Sequence, residues 1–370
     1  MEKKSYQICQ RCVMDTSDED IIFDENGYCN HCTDFLQLLE NHKYVEGQSE
    51  KIFKNILLKI KKRSKNNKYD CLVGISGGVD SCFVAHLCKT YGLHPLLMHM
   101  NNGWNTPIAE ENIQIMVKKL GFDYYEYKMD WQEFKEIQLA FFKSSIVDLE
   151  TPTDLAILGA NYEIAKKFKI SSILSGGNFA AEGILPLTWG YHVKSDMKLY
   201  RHIVKKYSNV KIRKTPYAGL KENFINKFIH GIKTYYPLNY IDYDKDKARK
   251  FLIETYGFKE YGGKHQDSTI TGFLQSYVMP VKYNMDYRRA TLSSQICNGQ
   301  VSRDDALRIL EAKPFDDEKV LKDKAYICKK WEISEEEFDK YLKLPPKTYK
   351  DFPNQERLIS RLFRLYKLFS

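Results

Sequence analysis

No run of apolar residues in this 370-residue chain approaches the roughly 20 needed to cross a bilayer, so no transmembrane segment is expected. The opening Met1-Glu2-Lys3-Lys4-Ser5-Tyr6 lacks the apolar stretch of a secretory signal, and a cytoplasmic location is expected. Proline is scarce, at 11 residues against 14% aromatics, which excludes a collagen-like or disordered chain. Two familiar phosphate-binding strings are missing. No G-x4-G-K-S/T sequence occurs, and the glycine-rich stretch at 74–78 is not a G-x-G-x-x-G. Neither sign of charge dominates: 57 Lys and Arg against 48 Asp and Glu leave +9. That balance suits an anionic ligand such as a nucleotide, or RNA, and equally a lysine-rich surface.

What is present begins with cysteine. Of nine, four form two tight pairs, Cys9-Gln10-Arg11-Cys12 and Cys29-Asn30-His31-Cys32. Each pair fits a turn and offers two thiolates to one tetrahedral ion, and Asn26-Gly27 supplies turn chemistry before the second. The pattern predicts structural Zn²⁺ on Cys9, Cys12, Cys29 and Cys32. Four thiolates fill the coordination sphere and leave no open position for a substrate. His31 reads as a bystander. Cys71, Cys82, Cys88, Cys297 and Cys328 are scattered.

Three regions follow from the patterning: a zinc ribbon over 1–45, an α/β domain over 46–200, and a mainly helical region over 201–370. Strands are expected at Cys71–Ile75, Pro95–Met100, Tyr124–Tyr127 and Ser172–Ser175. Helices between them start near Asp80, Pro107 and Thr153. Alternation of this kind predicts an α/β fold with a doubly wound parallel sheet, which binds ligands at the carboxyl ends of its strands. Beyond residue 200, Ser302…Asp305 and Ser334…Glu337 read as capping boxes, the latter with an Ile333/Phe338 staple. Residues 357–370 read as an amphipathic helix, with Arg357, Arg361 and Arg364 opposite Leu358, Leu362 and Phe369.

The chemistry concentrates in Ser76-Gly77-Gly78-Val79-Asp80-Ser81, after the first strand and at the start of the first helix of the sheet domain. Two glycines let backbone amides approach an anion closely, and the helix start adds unpaired N–H groups. Ser76 and Ser81 add hydroxyls. The expected ligand is phosphate or pyrophosphate, with Asp80 reaching it through Mg²⁺. Gly74-Ile75-Ser76-Gly77-Gly78 also fits the G-x-S-x-G hydrolase elbow. That elbow would fall on the first strand of the sheet, with no earlier strand or oxyanion loop before it.

The Ser76–Ser81 string resembles the pyrophosphate loop of the ATP-pyrophosphatase (PP-loop) superfamily, which activates a carbonyl or amide oxygen as its AMP ester. A narrower resemblance covers nearly the whole chain. Arg11-Cys12-Val13-Met14-Asp15-Thr16, Phe23-Asp24-Glu25-Asn26-Gly27, Asn102-Gly103-Trp104-Asn105, Pro152-Thr153-Asp154, Gly176-Gly177-Asn178 and Tyr261-Gly262-Gly263-Lys264-His265 resemble the bacterial N-acetyl sugar amidotransferases. Those enzymes act in the biosynthesis of lipopolysaccharide O-antigens and nonulosonic acids. The resemblance implies an ATP- and Mg²⁺-dependent conversion of an acetamido sugar, nucleotide-activated or a nonulosonic acid, to its acetamidino form. It implies nucleotide contacts from Gly74, Ile75, Ser76, Gly77, Gly78, Asp80, Ser81, Met100, Gly176 and Gly177. Catalytic roles fall on Asp80, Asn178, Lys264 and His265. Substrate contacts fall on Trp104, Asn105, Asp154, Glu182, Arg288 and Arg289.

No unassigned cysteine lies in a recognisable glutaminase motif. The resemblance implies that a separate glutaminase with a cyclase-like barrel subunit supplies ammonia. The main rival is a PP-loop tRNA thiolase, several of which carry zinc ribbons; a zinc-ribbon nucleic-acid adaptor would leave Asp80 and the sheet unexplained.

Overall fold

The computed structural model describes residues 5–42, 44–190, 193–260 and 267–361. Two short antiparallel bridges, Ile8–Asp15 and Phe23–Cys29, form the N-terminal knuckles. Helices α1 (Asn30–His42) and α2 (Gln48–Ser64) follow. The sheet domain then runs β1 (Cys71–Gly74), α3 (Val79–Thr90), β2 (Pro95–Asn101), α4 (Pro107–Leu120), β3 (Asp123–Lys128), α5 (Trp131–Ser144), α6 (Thr151–Lys167) and β4 (Ser172–Leu174). After it come α7 (Phe179–Glu182), α8 (Met197–Tyr207), α9 (Leu220–Phe224), β5 (Lys233–Tyr235) and α10 (Lys245–Tyr256). The rest is helical: α11 (Thr269–Phe273), α12 (Met279–Tyr283), α13 (Tyr287–Cys297), α14 (Arg303–Glu311), α15 (Asp317–Trp331) and α16 (Glu335–Lys343).

The sheet has five strands in the order β3-β2-β1-β4-β5, every pair parallel. Alternating side chains serve its two faces. Val73, Leu97 and Leu174 join a core with α2, α3, α4 and α10. Leu72, Leu96 and Ile173 join another with α5 and α6, through Phe134, Ala156, Ala160 and Ile164. Burial on both faces is why these strands read as continuous apolar runs. Strand order reverses between β1 and β4, and such a switch point leaves a crevice at the carboxyl ends.

Helix starts follow their caps. Thr106 accepts from Ala109 N with Pro107 at the first helical position, and Asp130, Asp196, Asp244 and Asp286 cap α5, α8, α10 and α13. Ser334 and Glu337 make a full capping box. Ser302 accepts from Asp305 N, while its hydroxyl donates to the Asp305 carboxylate, so the Asp305 side chain is drawn onto the hydroxyl.

Three expectations change. The fifth strand, β5, lies in the region assigned as helical, and Leu238, Tyr243, Leu252 and Phe258 sit in the sheet's own core. The sheet layer therefore extends well past residue 200. The ribbon, expected as a region of its own over 1–45, shares its core with later segments: its cysteines, Phe35 and Leu39 pack with Ile184, Trp189 and Ala290. Within the helical residues 356–361, Ile359 is buried and Leu358 is exposed, so the buried face is rotated by about one residue from the expected one. Leu362, Arg364 and Phe369 lie outside the described residues.

Candidate active site

The Ser76–Ser81 loop leaves β1 at the switch point and is closed on itself. Ser76 N donates to Ser81 Oγ at 3.1 Å, Gly78 N to Ser76 Oγ at 3.2 Å, and Ser81 Oγ to Gly78 O at 3.1 Å. Gly77 has φ +83°, and a Cβ there would stand 2.3 Å from Ala109 O. Only glycine fits between the turn and the first turn of α4. Gly176, after β4, is pressed against the same loop: its Cβ would lie 3.0 Å from Ser81 N. Glycines thus bring two strand ends and a helix start into backbone contact, with Ser76 at the edge of the crevice.

That crevice is a cavity of about 660 Å³, within the usual range for ligand sites. Of the expected contacts, Gly74, Ile75, Ser76, Met100, Gly176, Asn105, Asp154 and Glu182 line it, and Gly77, Gly78, Asp80 and Ser81 lie behind Ser76, outside its lining. Gly177 and Asn178 instead border a second cavity of about 610 Å³, which shares Glu182 with the first. Asn178 Nδ2 donates to Gly176 O at 3.2 Å. Lys264 and His265 lie outside the described residues.

Asp80 faces two partners from the distant segment before and within α10. Tyr243 O–H donates to Oδ1, and Lys245 Nζ to Oδ2 at 2.8 Å. A second carboxylate, Asp267, hydrogen-bonds the Ser76 side chain; burial pushes its pKa up against that bond. A Mg²⁺ ion takes one or two carboxylates plus phosphate oxygens, and Asp80 and Asp267 flanking Ser76 fit that donor set. Neither Lys245, Tyr243 nor Asp267 stands in a local motif. They reach the loop from more than 160 residues away.

Deeper in the crevice, Asn161 on α6 faces Gly74, and its Oδ1 is buried with no hydrogen-bond partner. A buried, unmatched acceptor is costly unless a ligand donor completes it. His99 on β2 holds Asn105. Its Nδ1–H donates to Ile75 O at 2.9 Å, and Nε2 accepts from the Asn105 amide. Burial lowers the His99 pKa, which keeps the ring neutral as this bonding requires.

The far wall carries Asp148, Glu150, Asp154, Lys194 and Tyr287. Lys194 sits 2.5 Å from Asp154 and 3.8 Å from Asp148. Burial opposes its charge, but the two aspartates outweigh it and raise its pKa. Asp154 is therefore an ion-paired wall residue at the start of α6.

Three expected substrate contacts are corrected. Trp104 is fully buried among Leu139, Phe142 and Trp331, and its Nε1–H donates to Gln138 Oε1 at 2.7 Å. It anchors the C-terminal helices and has no face toward ligand. Arg288 is clamped on Asp286 and donates to Ile309 O at the end of α14. Arg289 pairs with Asp15 at 3.0 Å and donates to Val13 O at 2.8 Å, tying α13 to the ribbon. Both arginines are structural, because every nitrogen of each guanidinium is engaged by a carboxylate, a carbonyl or, for Arg289, the Tyr6 hydroxyl.

The four ribbon cysteines lie together, fully buried, with all Sγ atoms within 4.8 Å of one another. Cys9–Cys32 is 3.8 Å and Cys12–Cys29 3.6 Å. Tetrahedral zinc at ~2.3 Å from each sulfur spaces ligands by about 3.8 Å. Backbone N–H groups of Arg11, Cys12, Met14, Cys29 and Cys32 point at the sulfurs. The donor set fits zinc. His31 bonds Asp18 instead.

No curated protein matches the chain. Solved structures similar to it include the NH3-dependent NAD synthetase of Campylobacter jejuni subsp. jejuni NCTC 11168, in complex with the nitrate ion, at 22% identity. The match covers 57% of this chain and 86% of that one, with a TM-score of 0.29. The U34-tRNA thiolase NcsA of Methanococcus maripaludis, solved with its 4Fe-4S cluster, is 16% identical over 82% and 88% of the two chains, TM-score 0.34. The NMN synthetase of Francisella tularensis is 14% identical over 63% and 98%, TM-score 0.27. The cavity's outer wall, with Asp267, Thr271 and Tyr287, opens the segment 267–367, which matches the family model described as LPS biosynthesis protein WbpG-like, C-terminal domain.

Proposed function

We propose that this chain is an ATP-dependent, AMP-forming amidotransferase that converts the acetamido group of a sugar to an acetamidino group, in lipopolysaccharide O-antigen or nonulosonic acid biosynthesis. One observation carries the reading: Ser76, which opens the Ser76–Ser81 loop, and Asp267, Ser268 and Thr271 of the WbpG-like segment line the same 660 Å³ cavity, and Asp267 hydrogen-bonds the Ser76 side chain. The loop suits the leaving end of a triphosphate, and the segment points to a surface-glycan sugar.

An amide carbonyl is a poor electrophile, and its oxygen leaves only once it is made an ester of AMP. Loop amides, Ser76 and Ser81 would hold the departing pyrophosphate, with Lys245 close by. Asp80 and Asp267 would hold Mg²⁺, which neutralises phosphate charge when bound. On nucleotide binding Lys245 would pass from Asp80 to a phosphate oxygen. Asn161 Oδ1 would accept from the adenine amino group beside Met98 and Met100. The sugar would lie toward Asn105, Asp154 and Glu182, with Glu182 shared by the two cavities and Asn178 on the wall of the adjoining one. Lys264 would stabilise phosphate charge in the transition state, and His265 would manage the proton on incoming ammonia.

Ammonia must come from outside. Eight cysteines are buried and Cys297 is half-buried, so none is presented as a glutaminase nucleophile. A separate glutaminase with a cyclase-like barrel subunit is the source the sequence resemblance supports. tRNA thiolation has weaker support, because none of the nine cysteines lines the cavity.

The test is AMP and pyrophosphate release from ATP over a panel of nucleotide-activated diacetamido sugars and diacetamido nonulosonic acids, with ammonium chloride. AMP formation that needs an acetamido sugar supports the reading, and Asp80→Asn should abolish it at unchanged zinc content. AMP formation indifferent to every such sugar, or a co-purifying tRNA with an iron–sulfur chromophore, overturns it.

A further inference from the structure

Glu150 stands at the start of α6 on the cavity's far wall, and no local motif singles it out. Its Oε2 accepts from Thr271 Oγ1 at 3.0 Å, across the seam between α6 and the WbpG-like segment. Its Oε1 is shut off from solvent and has no hydrogen-bond partner. Both residues line the cavity. Leaving one oxygen of a buried carboxyl unmatched is unfavourable, and a ligand N–H would complete it.

We infer that Glu150 is the base that takes the N–H proton of the sugar's acetamido group while that group is adenylated. The inference rests on the amidotransferase reading. As the amide oxygen attacks the α-phosphorus, a new P–O bond forms. The bond to pyrophosphate breaks, and its electrons leave with pyrophosphate. The amide nitrogen must then shed its proton to become the neutral imidate; Glu150 Oε1 accepts it and gives it up to water that enters the cavity once the products have left. In the second step the ammonia nitrogen bonds to the imidate carbon, and the C–O bond to AMP breaks with its electrons on AMP. All three ammonia hydrogens end on the two nitrogens of the amidinium, so this step needs no further proton.

The surroundings suit the task. Burial, then the charge of Asp154, raise the Glu150 pKa to about 7, with Asp148 adding to the rise; the Thr271 hydrogen bond and Lys194 pull the other way. Tyr287 from α13 also faces it. A base poised near the working pH balances availability against proton affinity.

Glu150→Gln is close to isosteric, and its amide oxygen can still accept from Thr271. It should bind ATP as wild type does but lower the rate of sugar-dependent AMP formation by about 100-fold or more. The wild-type rate should rise with pH through about 7, and the rise should vanish in Glu150→Gln. Thr271→Val removes a bond that favours the carboxylate, so its profile should move to higher pH. Wild-type turnover or an unchanged pH profile in Glu150→Gln overturns the role of Glu150 alone. Failure of the wild type to make AMP with any acetamido sugar overturns the amidotransferase reading, and the role of Glu150 with it.

Discussion

Replacing Gly77 by alanine isolates what the loop's geometry demands. Two effects add. At φ +83° an L-residue is strained, by about 1–2 kcal/mol. The new Cβ would also meet Ala109 O at 2.3 Å and its Cα at 2.9 Å, both backbone atoms. Ala109 N is held by the Thr106 cap in the first turn of α4, so it has no rotamer by which to escape. Overpacking of this kind adds about 1–3 kcal/mol. Gly257 provides the control: it has φ +77°, and nothing lies within 4 Å of its Cβ position. Gly257→Ala should show the backbone strain alone. In thermal unfolding, Gly77→Ala should lower the midpoint by several degrees and by about twice as much as Gly257→Ala. Calorimetric titration with ATP should find binding weakened in Gly77→Ala and unchanged in Gly257→Ala. Equal thermal shifts in the two variants would refute the claim that the loop is packed flush on α4. Unaltered ATP affinity in Gly77→Ala would refute its use as a phosphate cradle.

Cys12→Ser should remove the bound metal, read as loss of one zinc per chain by elemental analysis, and should lower the unfolding midpoint, because the cluster is part of a core shared with α13. Among the described residues Arg289 is the only cation paired with Asp15, whose side chain is 3% exposed and keeps hydrogen bonds from Tyr6 and Ser17. Arg289→Ala removes that cation and should destabilise the protein by about 2–3 kcal/mol in urea unfolding while leaving substrate KM unchanged. For Glu150 the linkage sign is set by its raised folded pKa of about 7 against an ordinary 4.5. Its contribution to stability is full below about 4.5 and is lost as pH rises through about 7, so Glu150→Gln should unfold at higher temperature than wild type at pH 8, by up to about 3 kcal/mol, and the gap should close toward pH 4.5.

The sheet is legible where both faces are buried. Cys71–Gly74, Pro95–Asn101 and Ser172–Leu174 are near-continuous apolar runs, because residues that alternate along each strand meet one core or the other. Edge strand β5 gives no such signal. Lys-Thr-Tyr is three residues long, with Lys233 exposed, and β4 alone pairs with it. Its place in the sheet is decided by tertiary contact, which no window of sequence contains. The same holds for Trp104. In the polar string Asn102-Gly103-Trp104-Asn105 it looks like an exposed binding residue, yet Trp331 of α15, more than 200 residues on, stacks edge-on against it at 6.1 Å.

The candidate site divides along the same line. Its phosphate side is one contiguous string, since a tight turn at a helix start can be written only in adjacent residues. The rest of the site is assembled from Glu150 at the start of α6 and Asn161 within it, Lys245 of α10, and Asp267 and Thr271 at the start of the WbpG-like segment, residues from three separate stretches of chain. Adjacent residues can mislead in the reverse way. Arg288 and Arg289 read as a basic pair fit for a phosphate, but successive helix positions point about 100° apart. One therefore grips the end of α14 and the other the ribbon. The catalytic proposal now depends on residues that the fold, not the motif, brings together. Thr271 makes this concrete: it belongs to the WbpG-like segment, and its one hydrogen bond to Glu150 links that segment to the wall opposite the loop. If Thr271→Val moved neither the pH profile nor the affinity for an acetamido sugar, the two halves of the cavity would share a boundary without sharing a reaction.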